Sequence, residues 1–142
     1  MRVDNPANYY SPFTFEFWMK ASSSDGWDFP IGHNLNNTGT FGISCSGSCC
    51  DLKWFFTGNV HSSQCLNSDW HHLAGVYSPE NGAELWVDGE CVARQAARGA
   101  ALPPAQDITV GALVGGSGSL CGHVAQVRLR SRRLTAGEAR TC

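Results

Sequence analysis

Ser68-Asp-Trp-His-His-Leu-Ala-Gly-Val-Tyr-Ser-Pro-Glu-Asn-Gly-Ala-Glu-Leu-Trp-Val-Asp-Gly-Glu-Cys91 places two hairpin signals inside one apolar, aromatic run. Asn81-Gly82 and Asp88-Gly89 are dipeptides that tolerate the positive φ angles of tight two-residue turns, and both are flanked by strand-forming residues. The stretch therefore predicts antiparallel strands over Trp70–Tyr77, Ala83–Val87 and Glu90–Gln95. Upstream, Phe13, Phe15 and Phe17 alternate with Thr14, Glu16 and Trp18, a period of two that gives one strand face to the core. The Phe face is expected inside and Trp18 on the opposite face. Short runs bounded by Gly, Asn or Ser predict further strands at Trp27–Ile31, Gly39–Ser44 and Asp51–Thr57. After an Ala- and Pro-rich loop over Ala96–Ala105, Ile108–Val114 and Cys121–Arg130 complete the set. In the last strand Val124, Gln126, Arg128 and Arg130 oppose His123, Ala125, Val127 and Leu129, and the second set is expected to face inward. Thr135-Ala-Gly-Glu138 has capping-box spacing and predicts one helical turn.

The order of these segments resembles a known family. Trp70-His-His-Leu-Ala74 followed by Leu85-Trp-Val-Asp-Gly89, Phe13-Thr-Phe-Glu-Phe-Trp-Met-Lys20 before them, and Ile108-Thr-Val-Gly111 and the run Gly122–Ala139 after them are similar to laminin-G-like domains of the concanavalin A-like lectin/glucanase superfamily. The resemblance implies an all-β fold, a two-sheet antiparallel jelly-roll sandwich, over one domain spanning residues 1–142. It also implies that Trp70 and Trp86 pack in the core.

Length and composition agree with that fold class. The chain has 142 residues, 16 Gly, seven Phe and five Trp with only 15% charged residues, which suits short strands joined by tight turns around one core. No run reaches the roughly 18 apolar residues of a membrane helix, so membrane insertion is not expected. Net charge is −2, with ten acids against three bases in residues 1–90 and two acids against seven arginines in residues 91–142. Such a balance gives no warrant for nucleic-acid binding, which wants a clearly basic domain.

Seven cysteines and the glycosylation acceptor Asn36-Asn37-Thr38 point to a secreted or cell-surface chain, expected to be a piece of a larger protein with a signal peptide or further domains beyond these residues. Cys45, Cys49, Cys50, Cys65, Cys91 and Cys121 are the disulfide candidates, and their connectivity is open. A bridge from the Cys45–Cys50 loop to Cys65 is one expectation. Cys142 is the candidate for an unpaired or intermolecular thiol.

Catalysis finds little support. The superfamily's glucanases hold paired carboxylates on one strand, and no Glu-x-Asp-x-Glu spacing occurs here. Calcium-binding relatives draw carboxylates from an opening strand and from an Asp-Glu pair before the last strand. Here Ala125-Gln126 stands in that pair's place, and the chain opens on Met1-Arg2-Val3-Asp4 without the usual first strand. Calcium through Asp4, Asp25, Asp28 or Asp88 is possible in principle, but turn-forming aspartate is the plainer reading. No cofactor is expected. A missing first strand would leave the last strand's edge open to a partner. Adjacent His71 and His72 point to opposite strand faces and do not make a zinc pair.

Recognition chemistry is better supplied. Trp18, Trp27 and Trp54 are candidate carbohydrate platforms, because a flat apolar ring stacks on a sugar face. Arg128, Arg130 and Arg132 recur at alternate positions and could clamp an acidic glycan, although pairing with the acidic first half is the plainer expectation. The sequence thus predicts a non-catalytic extracellular recognition or adhesion module that binds glycan or an extracellular protein. The alternative is a structural subunit of a filament or coat, assembled through strand edges and intermolecular disulfides.

Overall fold

A computed structural model describes residues 2–3, 12–21, 28–32, 40–46, 49–55, 59–62, 66–67, 69–78, 80–96, 108–111, 120–130 and 132–133. The described residues form β1 (Arg2–Val3), β2 (Phe13–Ala21), β3 (Asp28–Gly32), β4 (Thr40–Ser46), β5 (Cys49–Phe55), β6 (Asn59–His61), β7 (His71–Ser78), β8 (Gly82–Val87), β9 (Glu90–Gln95), β10 (Ile108–Val110) and β11 (Gly122–Arg130). They make a six-stranded sheet in the order β1-β10-β3-β4-β5-β6 and a five-stranded sheet in the order β11-β2-β7-β8-β9. Every pairing is antiparallel.

Alternation along β2 builds the core as the sequence predicts. Phe15, Phe17 and Met19 are buried with Leu73, Leu85 and Val87 of the same sheet, and they meet Ile31, Leu52 and Val60 of the other. What alternation alone does not show is that the opposite face of the five-stranded sheet is also largely covered. Thr14, Glu16, His72, Ala74, Val76, Glu84 and Trp86 are all buried there. Trp86 is packed as expected, but with Ala74 and Val76 in a separate apolar cluster rather than in the main core.

The two turn signals are used differently. Val87 pairs with Glu90, and Asp88 and Gly89 carry φ of 49° and 83°, the two positive values of a type I′ turn. At the other signal Ser78 pairs with Gly82, so three residues intervene instead of two. Gly82 takes φ 77° as the left-handed residue after that turn, while the Asn81 amide donates to Ser78 Oγ at 3.0 Å.

A short first strand does form, but not beside the last strand, where its absence was expected. Arg2 and Val3 pair with Thr109 and Ile108, in the sheet opposite β11. β11 pairs only with β2 among the described residues, so its outer edge lacks a strand partner there. The strand predicted over Ile108–Val114 ends at Val110, where Gly111 turns away with φ 89° and its amide donates to the Pro30 carbonyl at 2.8 Å.

No disulfide is seen where cysteine side chains are described. Cys91 is a free thiol: its sulfur accepts from Arg94 Nε at 3.3 Å and lies 3.6 Å from the Ala93 carbonyl, which corrects its place among the disulfide candidates. Cys45 and Cys50 are register partners across β4 and β5, and Cys49 faces Ser46. Cys65, Cys142, Asn36 and the helical turn at 135–138 lie outside the described residues.

Gly122 begins β11 with φ 155°, and a Cβ there would sit 2.1 Å from the Lys20 carbonyl oxygen. Gly122→Ala is therefore expected to destabilise the fold by roughly 2 kcal/mol or more, through both backbone strain and a clash with backbone that cannot step aside. Phe17→Ala, which empties a fully buried position, is expected to cost about 3–5 kcal/mol. Urea denaturation of each variant measures both.

Candidate functional site: an aromatic cleft beside a bulged edge strand

The outer face of the five-stranded sheet carries the candidate site. Register sets Ala125 against Trp18 and Trp18 against His72, so these three lie side by side across β11, β2 and β7. Trp18 is half-buried there, with its ring centroid 5.4 Å from that of His72 at a tilt of 58°. Trp70, just ahead of β7, is 45% exposed, whereas the family resemblance places it in the core. Its position explains the difference: it precedes the first residue of β7 to pair with β2, so it is off the ladder that carries the core face. Trp18, Trp70, Ala125 and Gln126 line an open cleft of about 330 Å³. His123 flanks it, with its ring 6.2 Å from that of Trp70.

Gln126 owes its place to an irregularity. Between Trp18 and Glu16 on β2 there is one residue, but between their partners Ala125 and Arg128 on β11 there are two. The extra residue makes a β-bulge, and Gln126 takes φ 52°. A residue with a side chain in this left-handed region costs roughly 1–2 kcal/mol. The bulge also changes the phase of the strand. Val124, Val127 and Leu129 all pack on the core, whereas Ala125, opposite Trp18, lies on the outer face. The strict alternation expected for this strand thus holds only after the bulge; before it, Val124 turns inward while His123 and Ala125 turn outward.

Beneath and beside the cleft, charge is tightly paired. Glu16, 1% exposed, receives Arg130 Nη2 at 2.9 Å, Arg130 Nε at 3.2 Å and Arg128 Nη1 at 3.4 Å. Glu84 receives Arg133 Nη2 at 2.8 Å and Trp86 Nε1 at 2.9 Å. Arg128 and Arg130 thus pair with the acidic half of the chain, the plainer of the two sequence readings. Arg132 joins the same corner through its carbonyl, which accepts from Thr14 Oγ1 at 2.8 Å.

A third carboxylate, Asp88, fixes the start of β7 next to Trp70. Asp88 Oδ1 accepts from the His72 amide at 2.9 Å and Oδ2 from His71 Nδ1 at 2.6 Å, while the Asp88 amide donates to the His72 carbonyl at 2.8 Å. His71 Nε2 lies 2.7 Å from Asn67 Oδ1. Asp88 is thus a turn residue and a clamp on the start of β7. Asp28 is likewise engaged, accepting from the Cys121 amide at 3.2 Å. Among the described residues no group of His, Cys, Asp and Glu is arranged to hold a metal ion. Asp4 and Asp25 lie outside them, as does Trp27. Trp54 is on β5 in the other sheet, paired with Phe41 and Val60, so the structure does not bring it to Trp18. Sequence reasoning missed Trp70 and Gln126 as site residues. The one available signal was that Trp70 follows the polar run Asn67-Ser-Asp69 directly, where a strand has not yet begun.

His72 is 3% exposed, and burial holds its pKa below the usual 6.5, against the opposing pull of Glu16 and Asp88 and with the help of Arg128. A histidine whose folded pKa is depressed binds fewer protons folded than unfolded, so stability rises with pH. Its contribution is fully present above 6.5 and is lost as pH falls below that value. Unfolding free energy is therefore expected to drop between neutral pH and about pH 5, and His72→Gln is expected to flatten that dependence in urea titrations at several pH values.

With the fold and the cleft described, their counterparts in known proteins are recognisable. Residues 2–140 match a laminin-G family model described as Concanavalin A-like lectin/glucanases superfamily. No curated protein matches in sequence. Among solved structures, a putative carbohydrate binding protein from Bacteroides ovatus is similar at TM-score 0.76 and 16% identity, over 98% of this chain and 42% of that one. A heptameric SAP-like pentraxin from Limulus polyphemus follows at TM-score 0.69 and 13% identity, over 93% and 69%. Trypanosoma rangeli sialidase, in complex with a difluoro-KDN ligand, is similar at TM-score 0.69 and 20% identity, over 93% of this chain and 22% of that one. The chain spans less than half of the Bacteroides protein and about a fifth of the sialidase, and at these identities the likeness is one of fold. By its family match and its two antiparallel sheets, the chain belongs to the concanavalin A-like lectin/glucanase superfamily as a laminin-G-like domain.

Proposed function

We propose that this domain is a non-catalytic glycan-recognition module, extracellular and part of a larger protein, and that the Trp18–Trp70 cleft is its binding site. The observation that carries this reading is an exposed indole set beside a half-buried one over an open hollow of about 330 Å³. That volume is at the small end of the roughly 300–1,000 Å³ typical of small-molecule clefts. A large aromatic side chain left in water next to a concavity marks an interaction site more often than a packing accident. Stacking of a pyranose face on indole needs only this geometry. The Bacteroides ovatus protein, named as a putative carbohydrate binding protein, shares this fold over 42% of its length, which supports the reading by analogy.

Two observations weigh against the rival roles. Glu16 and Glu84, the buried carboxylates of this face, are each occupied by their own guanidinium partners, which disfavours their use as an acid and a nucleophile. The outer edge of β11, without a strand partner among the described residues, is bulged at Gln126 and carries Arg128 and Arg130, features that hinder the addition of a partner strand and so disfavour assembly through that edge.

Trp70→Ala is expected to weaken glycan binding by about 2 kcal/mol, roughly 30-fold, while lowering the melting temperature only a little, because nearly half of the side chain is in water. Trp18→Ala is expected to weaken binding and also lower stability, since that ring packs on His72. Titration of the oxidised, deglycosylated protein against a broad glycan panel checks both. A folded sample that binds no glycan, or binds one equally well without Trp70, would sink the proposal and turn attention to protein ligands.

A further inference from the structure

The bulge in β11 serves no packing requirement. On either side of Gln126 the strand is already in phase with the sheet: Val124 packs inward and Ala125 faces Trp18, then Val127 packs inward and Arg128 faces Glu16. Without Gln126 the same residues would alternate in, out, in, out, with an unbroken ladder against β2. The extra residue therefore adds strain and interrupts pairing while improving no core contact. What it does is set Gln126, an exposed residue on a backbone with φ 52°, at the wall of the aromatic cleft. Bulges at sheet edges commonly re-aim a side chain in this way.

The rest of the lining narrows the ligand. Among the described residues the cleft is walled by two indoles, a methyl group and this one amide, with no charged side chain. The nearby guanidiniums are directed elsewhere, since Arg128 and Arg130 both converge on Glu16 Oε1. An amide offers one acceptor oxygen and two donor hydrogens, a match for groups that both donate and accept, such as a pair of neighbouring sugar hydroxyls. It is a poor match for a carboxylate or sulfate, which only accept and would bring an unpaired charge onto apolar walls. We propose that Gln126 is the specificity-determining residue of the cleft and that the ligand it reads is an uncharged sugar, stacked on Trp18 and Trp70 and hydrogen-bonded through neighbouring hydroxyls.

This inference rests on the cleft being a glycan site, and the test separates the two. Kd values are measured by calorimetry for matched neutral, uronate-containing and sulfated oligosaccharides at low and high salt, for the native protein and for Gln126→Ala, Gln126→Gly and Trp70→Ala; thermal melts accompany each variant. Neutral sugars are expected to bind best, with little salt dependence because no ion pair forms. Gln126→Ala is expected to weaken binding tenfold or more. Gln126→Gly is the decisive variant, because glycine relieves the positive φ: its melting temperature should be equal or higher while its binding falls as far as that of Gln126→Ala. Loss of binding in Trp70→Ala with none in either Gln126 variant would overturn the role of Gln126 and leave the glycan site standing. A salt-sensitive preference for acidic sugars would overturn the uncharged ligand. No binding of any sugar to the folded native protein would overturn both this inference and the site on which it rests.

Discussion

Glu16 is a charged side chain in the middle of a central strand with almost no surface left to water, and the outer half of this structure is organised around satisfying it. A buried carboxylate without partners would be ruinous to the fold. Arg128 and Arg130 reach it from the neighbouring strand, so the ion pair ties β11 to β2 at the level where the ladder resumes after the bulge. The same convergence pairs two cations beside the cleft with Glu16, although both guanidinium side chains stay partly exposed. It leaves that hollow apolar although the second half of the chain is rich in arginine. Among the described residues, arginines of the second half thus meet acids of the first, Arg128 and Arg130 at Glu16 and Arg133 at Glu84.

Most of the fold was legible because it rests on short-range rules. Alternation of Phe15 and Phe17 with polar neighbours identified β2 and its core face, and Asp88-Gly89 announced its type I′ turn, because both are consequences of backbone geometry over a few residues. The failures share a different cause. That the second face of the same sheet is also buried depends on which arginines arrive from more than a hundred positions away, as with Arg130 on Glu16. The phase of β11 depends on one inserted residue, and a slip of one exchanges every side chain between faces, so His123, Ala125 and Val124 were all misassigned together. Nothing in Val-Ala-Gln-Val marks the insertion, since Gln has no special preference for positive φ.

The candidate site was legible only in part for the same reason. Trp18 could be placed on the outer face from its own strand, but a cleft needs a second wall. Here that wall is Trp70, whose exposure follows from where β7 begins. The resemblance to a family suggested a packed tryptophan at this position, and the local chain trace decided otherwise.

The Asp88 clamp has a kinetic side. One carboxylate and its own amide join the turn after β8 to the first two residues of β7, so the ground on which Trp70 stands is held by three short hydrogen bonds before any ligand arrives. A wall anchored in this way does not have to be ordered at the moment of contact, and the entropy usually lost in fixing a loop is already spent. For a sugar bound as proposed, the association rate would then be set by diffusion and orientation. Differences in affinity among ligands fall on how long each one stays.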